Sequence, residues 1–175
     1  LRNKFYIGKI RVPAYKGESE NYVNGEIKKL KKGNTQIAAE IIQKAAGSDI
    51  FRVEPLVKYS EDYSQCVEEA KSDLQRNARP ELEAYPDNIG QYDTIYLAYP
   101  NYWGTMPMPM FTLLEKLDLT NKTVFPLCTH EGSGMGRSEQ DIKRLCPGAV
   151  LKKGLPIHGA DTAQSSDKIA KWACS

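Results

Sequence analysis

Three short segments combine residue types suited to holding a ligand rather than filling a core. The first is Gly33-Asn34-Thr35, placed just ahead of a helical pattern. Glycine lets a ligand approach the backbone, asparagine and threonine add polar side chains, and the free N–H groups of a helix start favour a phosphate. The same three residues also make an ordinary helix cap, so this segment alone leaves both readings open. The second is Pro100-Asn101-Tyr102-Trp103-Gly104-Thr105-Met106-Pro107. A planar aromatic ligand could stack on one of its two adjacent rings; the other reading packs both over a sheet end. Adjacent residues rarely both point inward, so at least one of Tyr102 and Trp103 is expected to face ligand or solvent. The third is Thr129-His130-Glu131-Gly132-Ser133-Gly134-Met135-Gly136, whose three glycines expose backbone donors and acceptors. Its spacing is not that of a dinucleotide fingerprint, and no phosphate loop of the G-x-x-x-x-G-K-[ST] type occurs anywhere in the chain.

The elements that must position these segments alternate between helix and strand. Ile37, Ala38, Ile41, Ile42 and Ala45 sit at helical spacing over 35–46, and Gly47 is the expected stop. A short strand is expected over 49–55. A helix follows over 60–78 with Ser60 as its cap. Residues 92–99 read as the best buried strand, since Ile95, Tyr96, Leu97 and Ala98 run in succession. Next come a helix over 107–117, a strand over 123–129, a helix over 138–146, a strand over 150–157, and a helix over 161–173 capped by Asp161 and Thr162. This rhythm predicts a parallel sheet with helices on both sides. All three segments then fall at strand-to-helix junctions, where open parallel sheets bind ligands. The first 32 residues fit least well. Lys9–Tyr15 is the candidate first strand, yet Arg11 and Pro13 suit a central strand poorly. The polar stretch Lys16–Lys32, with Lys28, Lys29, Lys31 and Lys32 clustered, is expected to be a solvated loop.

Composition narrows the class. The chain has 175 residues and a formal net charge of +2, so it presents no global field for nucleic acid. It is expected to form one domain over 1–175, with 1–32 an irregular first strand and polar insertion. No apolar run approaches the roughly 18 residues that span a bilayer, so no membrane partner is expected. Cys66, Cys128, Cys146 and Cys174 form no C-x-x-C pair, and only His130 and His158 could join them at a metal. Reduced thiols, no metal and a cytoplasmic location are the expectation.

Four pieces of the chain resemble the flavodoxin-like family of FMN-binding proteins: ENYVNGE at 20–26, GNT at 33–35, YPNYWGTMPMP at 99–109 and CTHEGSGMGRSEQDI at 128–142. The similarity runs from Glu20 to Trp172. It is closest to a short-chain flavodoxin subgroup with an insertion before the Gly-Asn-Thr segment. The resemblance implies a flavodoxin-like three-layer α/β sandwich, with a five-stranded parallel sheet of order 2-1-3-4-5 and non-covalent FMN. By that resemblance Gly33, Asn34 and Thr35 hold the phosphate, and Pro100, Asn101, Tyr102, Trp103 and Gly104 border the isoalloxazine. Thr129, His130, Glu131, Gly132, Ser133 and Gly134 meet its pyrimidine edge and polar rim. Backbone donors near the flavin N1–O2 region would stabilise the charge of the reduced ring.

Three features depart from the family pattern. The family's phosphate loop typically reads S-x-x-G after the first strand, whereas Lys16-Gly17-Glu18-Ser19 stands here, with Glu18 repelling a phosphate and Lys16 offsetting it. The first strand is poor. The third loop has His130 and neither Tyr nor Trp, leaving one flavin face open or covered by Tyr22. Family carriers are strongly acidic; here an acidic docking patch would have to come from Glu61, Asp62, Glu68 and Glu69, which also read as a solvated helix face. The implied function is flavodoxin-type electron transfer with a redox partner protein or a small-molecule donor or acceptor. Two alternatives stand beside it: a small FMN-dependent NAD(P)H or quinone reductase, and a flavin-free binding module. A hydrolase or amidotransferase-like enzyme using Cys128 and His130 is a fourth and weaker reading, because C-T-H lacks a nucleophile elbow. The oligomeric state is open.

Overall fold

The computed structural model describes residues 4–7 and 19–175, with side chains from residue 23 onward. Its main sheet is parallel. Strand β1 (Lys4–Ile7) lies between β4 (Asp49–Phe51) and β5 (Thr94–Pro100); β5 pairs with β6 (Thr123–His130). Two further strands, β7 (Val150–Leu151) and β8 (Leu155–His158), both pair with the outer side of β6. The order is therefore β4-β1-β5-β6, with β7 and β8 sharing the last position.

Among the described residues the main sheet has six strands where five were expected. The expected strand over 150–157 is broken at Lys152-Lys153-Gly154. The Lys152 N–H still reaches the Val124 carbonyl at 2.9 Å, but the Gly154 N–H turns away to the Glu139 carboxylate at 2.7 Å. The first strand is also corrected, because β1 occupies 4–7 between β4 and β5. Residues 9–15, where it was expected, and the Lys16–Glu18 stretch lie outside the described residues.

From Ser19 on, the expected solvated loop is a hairpin of β2 (Ser19–Val23) and β3 (Glu26–Leu30), separate from the main sheet. Asn24 and Gly25 take positive φ values of 51° and 86°, which matches the twist of a two-residue hairpin turn. The lysines at 28, 29, 31 and 32 are exposed, as expected of that stretch.

Helices cover both faces. Strand β5 divides the core, since its successive side chains point to opposite faces. Ile95, Leu97 and Tyr99 join the layer of α3 (Met108–Lys116) and α4 (Ser138–Leu145), where Met110, Leu113 and Ile142 are fully buried. Tyr96 and Ala98 join the opposite layer, with Ala38 and Ile42 of α1 (Asn34–Ala46) and Ile169 of α5 (Ser166–Ala173). Burying both faces is what the continuous apolar run of β5 requires. Helix α1 closes as expected at Gly47, with φ 64° and its N–H on the Gln43 carbonyl.

Two caps differ from expectation. Helix α2 (Tyr63–Gln75) is capped by Asp62, whose carboxylate accepts the Gln65 N–H at 2.8 Å. The Ser60 hydroxyl instead accepts the Asp62 N–H at 3.1 Å and shapes the approach. The last helix begins at Ser166. Gly159–Asp161 forms a short 3-10 turn, and the buried Thr162 hydroxyl donates to the Gly159 carbonyl at 2.9 Å.

Candidate functional site

The three segments meet at the carboxyl ends of the parallel strands. Pro100 ends β5, His130 ends β6 and His158 ends β8, while Gly33 stands immediately before α1. Gly33 is extended, at φ −66° and ψ 151°, and α1 starts without a side-chain cap. Its first internal bond runs from the Ile37 N–H to the Gly33 carbonyl at 3.1 Å. Asn34 and Thr35 are therefore the first helical residues, and the helix presents its positive end at this point. The Thr35 hydroxyl lies 2.6 Å from that of Thr129, and the pair is buried. That bond ties the start of α1 to the end of β6, joining the first and third segments.

The end of β8 completes this side, and sequence reasoning missed it. His158 Nε2 lies 3.7 Å from Glu131 Oε2, and the His130 and His158 rings meet edge to face at 5.9 Å. The Asn24 N–H, at the hairpin tip, donates to Glu131 Oε2 at 3.1 Å. The only available signal was a second histidine at a strand end followed by glycine, which carries little information by itself. His130 Nδ1 accepts the Gly132 N–H at 2.9 Å. Burial, and then the neighbouring His158, lower the His130 pKa, with Glu131 opposing. An unfolded histidine takes its proton near pH 6.5. As pH falls through that value the unfolded chain binds the proton before the native His130 does. This linkage therefore lowers stability toward acid. In an NMR titration His130 is expected to have a midpoint below that of a peptide histidine; a midpoint at or above it would contradict the packing described here.

The second segment forms a tight turn. Tyr102 and Thr105 exchange backbone bonds of 2.8 and 3.2 Å, and Trp103 and Gly104 adopt φ values of 54° and 84°. Both rings go to α2. The Tyr102 hydroxyl lies 3.8 Å from Cys66 Sγ, and burial pushes its pKa well above the ordinary range. The Trp103 indole donates to the Val67 carbonyl at 3.0 Å, and Lys71 Nζ sits 5.0 Å from its ring centroid. Trp103 remains 47% exposed, which meets the expectation that one of the two rings faces outward. Asn101 is spent on the scaffold, accepting the Gly104 N–H at 2.9 Å and donating to the Gly134 carbonyl at 3.1 Å. A Cβ on Gly136 would lie 2.1 Å from the Gly104 carbonyl oxygen, so the second and third segments touch through their backbones.

The geometry gives no support to thiol chemistry at Cys128. Burial raises its pKa to about 12, and its sulfur faces the Thr129 carbonyl at 3.6 Å while His130 accepts from Gly132. Burial also raises Cys66, and raises Cys146 to about 11. Only the thiolate is nucleophilic. Iodoacetamide at pH 8 is therefore expected to label the exposed Cys174 and to leave the three buried thiols untouched in the native protein. Mass-spectrometric detection of early labelling at Cys128 would contradict this. Among the described residues, no group of three His, Cys, Asp or Glu side chains could hold a metal ion, and no helix is long and apolar enough to cross a membrane.

The model of the flavodoxin family matches residues 30–174. Comparison with curated proteins finds no match. Among solved structures, a flavoprotein from Lactobacillus acidophilus, in complex with FMN, superimposes with a TM-score of 0.63 at 19% identity, covering 95% of this chain and 96% of that one. Two provisionally assigned flavoproteins are also similar. That of Bacteroides eggerthii gives a TM-score of 0.66 at 24% identity over 95% and 96% of the two chains. That of Bacteroides uniformis gives 0.68 at 23% over 99% and 97%. At these identities the structural likeness speaks for the fold.

Proposed function

This chain belongs to the flavodoxin family, and from that premise we propose that it holds one FMN non-covalently at the ends of β5, β6 and β8 and passes electrons through it. The observation that carries the reading is the junction of the three segments beside the uncapped start of α1. Thr35 bonds to Thr129, and Asn101 bonds to Gly134, so the segments face one site. The donor set fits the cofactor. The first-turn N–H groups of α1 lack a side-chain cap and suit a phosphate dianion. In this reading Gly33, Asn34 and Thr35 hold the phosphate. Pro100 to Gly104 border the ring, and Thr129 to Gly134 meet its polar edge. The flavin supplies the redox chemistry; the chain binds it, orients it and excludes water.

Flavodoxins exchange electrons with redox partners, and the same role is proposed here, within a single domain of 1–175 acting in the cytoplasm. A second reading, a small NAD(P)H or quinone reductase, is favoured by one feature. The third loop supplies no Tyr or Trp to cover the flavin. The hairpin reaches this loop through the Asn24 N–H on the Glu131 carboxylate. Anaerobic reductive titration separates the two roles: a stable one-electron form points to the carrier, and rapid NADH oxidation in the presence of a quinone points to the reductase. Failure to take up FMN at all would leave the flavin-free binding module.

A further inference from the structure

Resting on the FMN reading, we infer that Asn101 is a positioning residue that clamps the Tyr102–Thr105 turn to the 132–136 loop and so fixes the two walls of the site against each other. Its backbone N–H donates to the Thr129 carbonyl at 2.8 Å, which anchors the residue at the end of β6. From there its side chain works in both directions. Oδ1 accepts the Gly104 N–H at 2.9 Å, and Nδ2 donates to the Gly134 carbonyl at 3.1 Å. The Gly104 carbonyl in turn accepts the Arg137 N–H at 2.8 Å. Both polar groups of Gly104 are thereby committed to the scaffold.

The clamped backbone is one that needs holding. Trp103 has φ 54°, a region that bulky side chains rarely adopt. The Trp103 ring is tied to Val67 and Lys71 on α2, while Gly104 is tied to Asn101 and Arg137. The turn thus bridges α2 and the 132–136 loop, and Asn101 is the side chain bonded to both the turn and the loop. The Asn101 amide carries on one short side chain both the acceptor and the donor that these two bonds use. Aspartate keeps the acceptor for Gly104 and sets a second acceptor against the Gly134 carbonyl. With the clamp in place, a ligand between the walls meets backbone groups at fixed positions, which is how a site is pre-organised.

Amide hydrogen exchange in the FMN-free protein tests the clamp without relying on the cofactor. In Asn101→Ala the Gly104 amide is expected to exchange at least about tenfold faster than in the wild type, the equivalent of one lost hydrogen bond. In Asn101→Asp it should stay near the wild-type rate, because the acceptor remains. FMN affinity, followed by quenching of flavin fluorescence, should fall about tenfold in Asn101→Ala. If Asn101→Ala does not fold, Asn101→Asp carries the test: it should protect Gly104 yet bind FMN more weakly. An unchanged Gly104 rate in Asn101→Ala overturns the clamp. Wild-type FMN affinity alongside faster Gly104 exchange overturns its positioning role. If the wild type takes up no FMN, the cofactor reading fails separately, and the exchange rates alone decide the clamp.

Discussion

Replacing Gly136 by alanine is expected to destabilise the fold by about 3 kcal/mol, combining a strained backbone conformation with overpacking against a fixed neighbour. The new Cβ would lie 2.1 Å from the Gly104 carbonyl oxygen and 2.7 Å from its carbon, which are backbone atoms with no rotamer to change. The residue also sits at φ 53°, where an L side chain adds strain. Gly104 already accepts from Arg137 and donates to Asn101, so it cannot retreat without breaking both bonds. For a chain of this length the cost corresponds to a fall in Tm of roughly 6–12 °C. Gly134→Ala is the control. Its φ of 59° lies in the same left-handed region, but no atom lies within 4 Å of the new Cβ, so only the conformational term of about 1–2 kcal/mol applies. Scanning calorimetry of the two variants should separate them; equal midpoints would show that the loops are not in the close contact described.

Asp73→Ala is expected to cost about 2–3 kcal/mol, because it strands a buried donor. Asp73 is 6% exposed and accepts the Tyr59 hydroxyl at 2.7 Å and Arg76 Nη2 at 2.5 Å. Burial, then the bond to Asp73, raise the Tyr59 pKa far above the ordinary range, so its hydroxyl stays protonated and needs an acceptor. Tyr59→Phe should cost less, about 1 kcal/mol, because Asp73 keeps Arg76 as a partner. Helix α2 also carries Cys66 against Tyr102 and Val67 against Trp103. Loosening it therefore reaches the turn at the site, and FMN affinity should weaken together with stability. Urea denaturation with a flavin-binding assay checks both effects. A midpoint for Asp73→Ala no lower than that of Tyr59→Phe would contradict the account of this network.

From Thr35 onward the alternation of elements was legible because each element carried its own local signal. The helical spacing of Ile37, Ala38, Ile41 and Ile42 placed α1 to within a residue at its start, and the run Ile95–Ala98 marked β5 as buried on both faces. Where local signals conflicted, the reading failed. The alternation in Lys9–Tyr15 is the longer strand pattern, whereas the shorter Lys4–Ile7 forms β1. The hairpin hid behind its composition, since Glu26, Lys28 and Lys29 are polar and Ile27 is half exposed, although Asn24-Gly25 is a strong turn signal. Glu139 capturing the Gly154 N–H, which breaks the last strand, is a contact between distant segments that no local pattern announces.

The candidate site divides in the same way. The glycine and polar spacing located the three segments, and the structure brings them together. The directions of Tyr102 and Trp103 depended on α2, and the contribution of His158 depended on the register of β8 beside β6, where His158 pairs with His130. Both are set by packing between segments far apart in the chain.

The most direct test of the central claim is the visible absorption spectrum of the purified protein, recorded before and after incubation with FMN and gel filtration. Flavin bands co-eluting with the protein at close to one equivalent are the expected result. Colourless protein that retains no FMN would contradict the cofactor assignment.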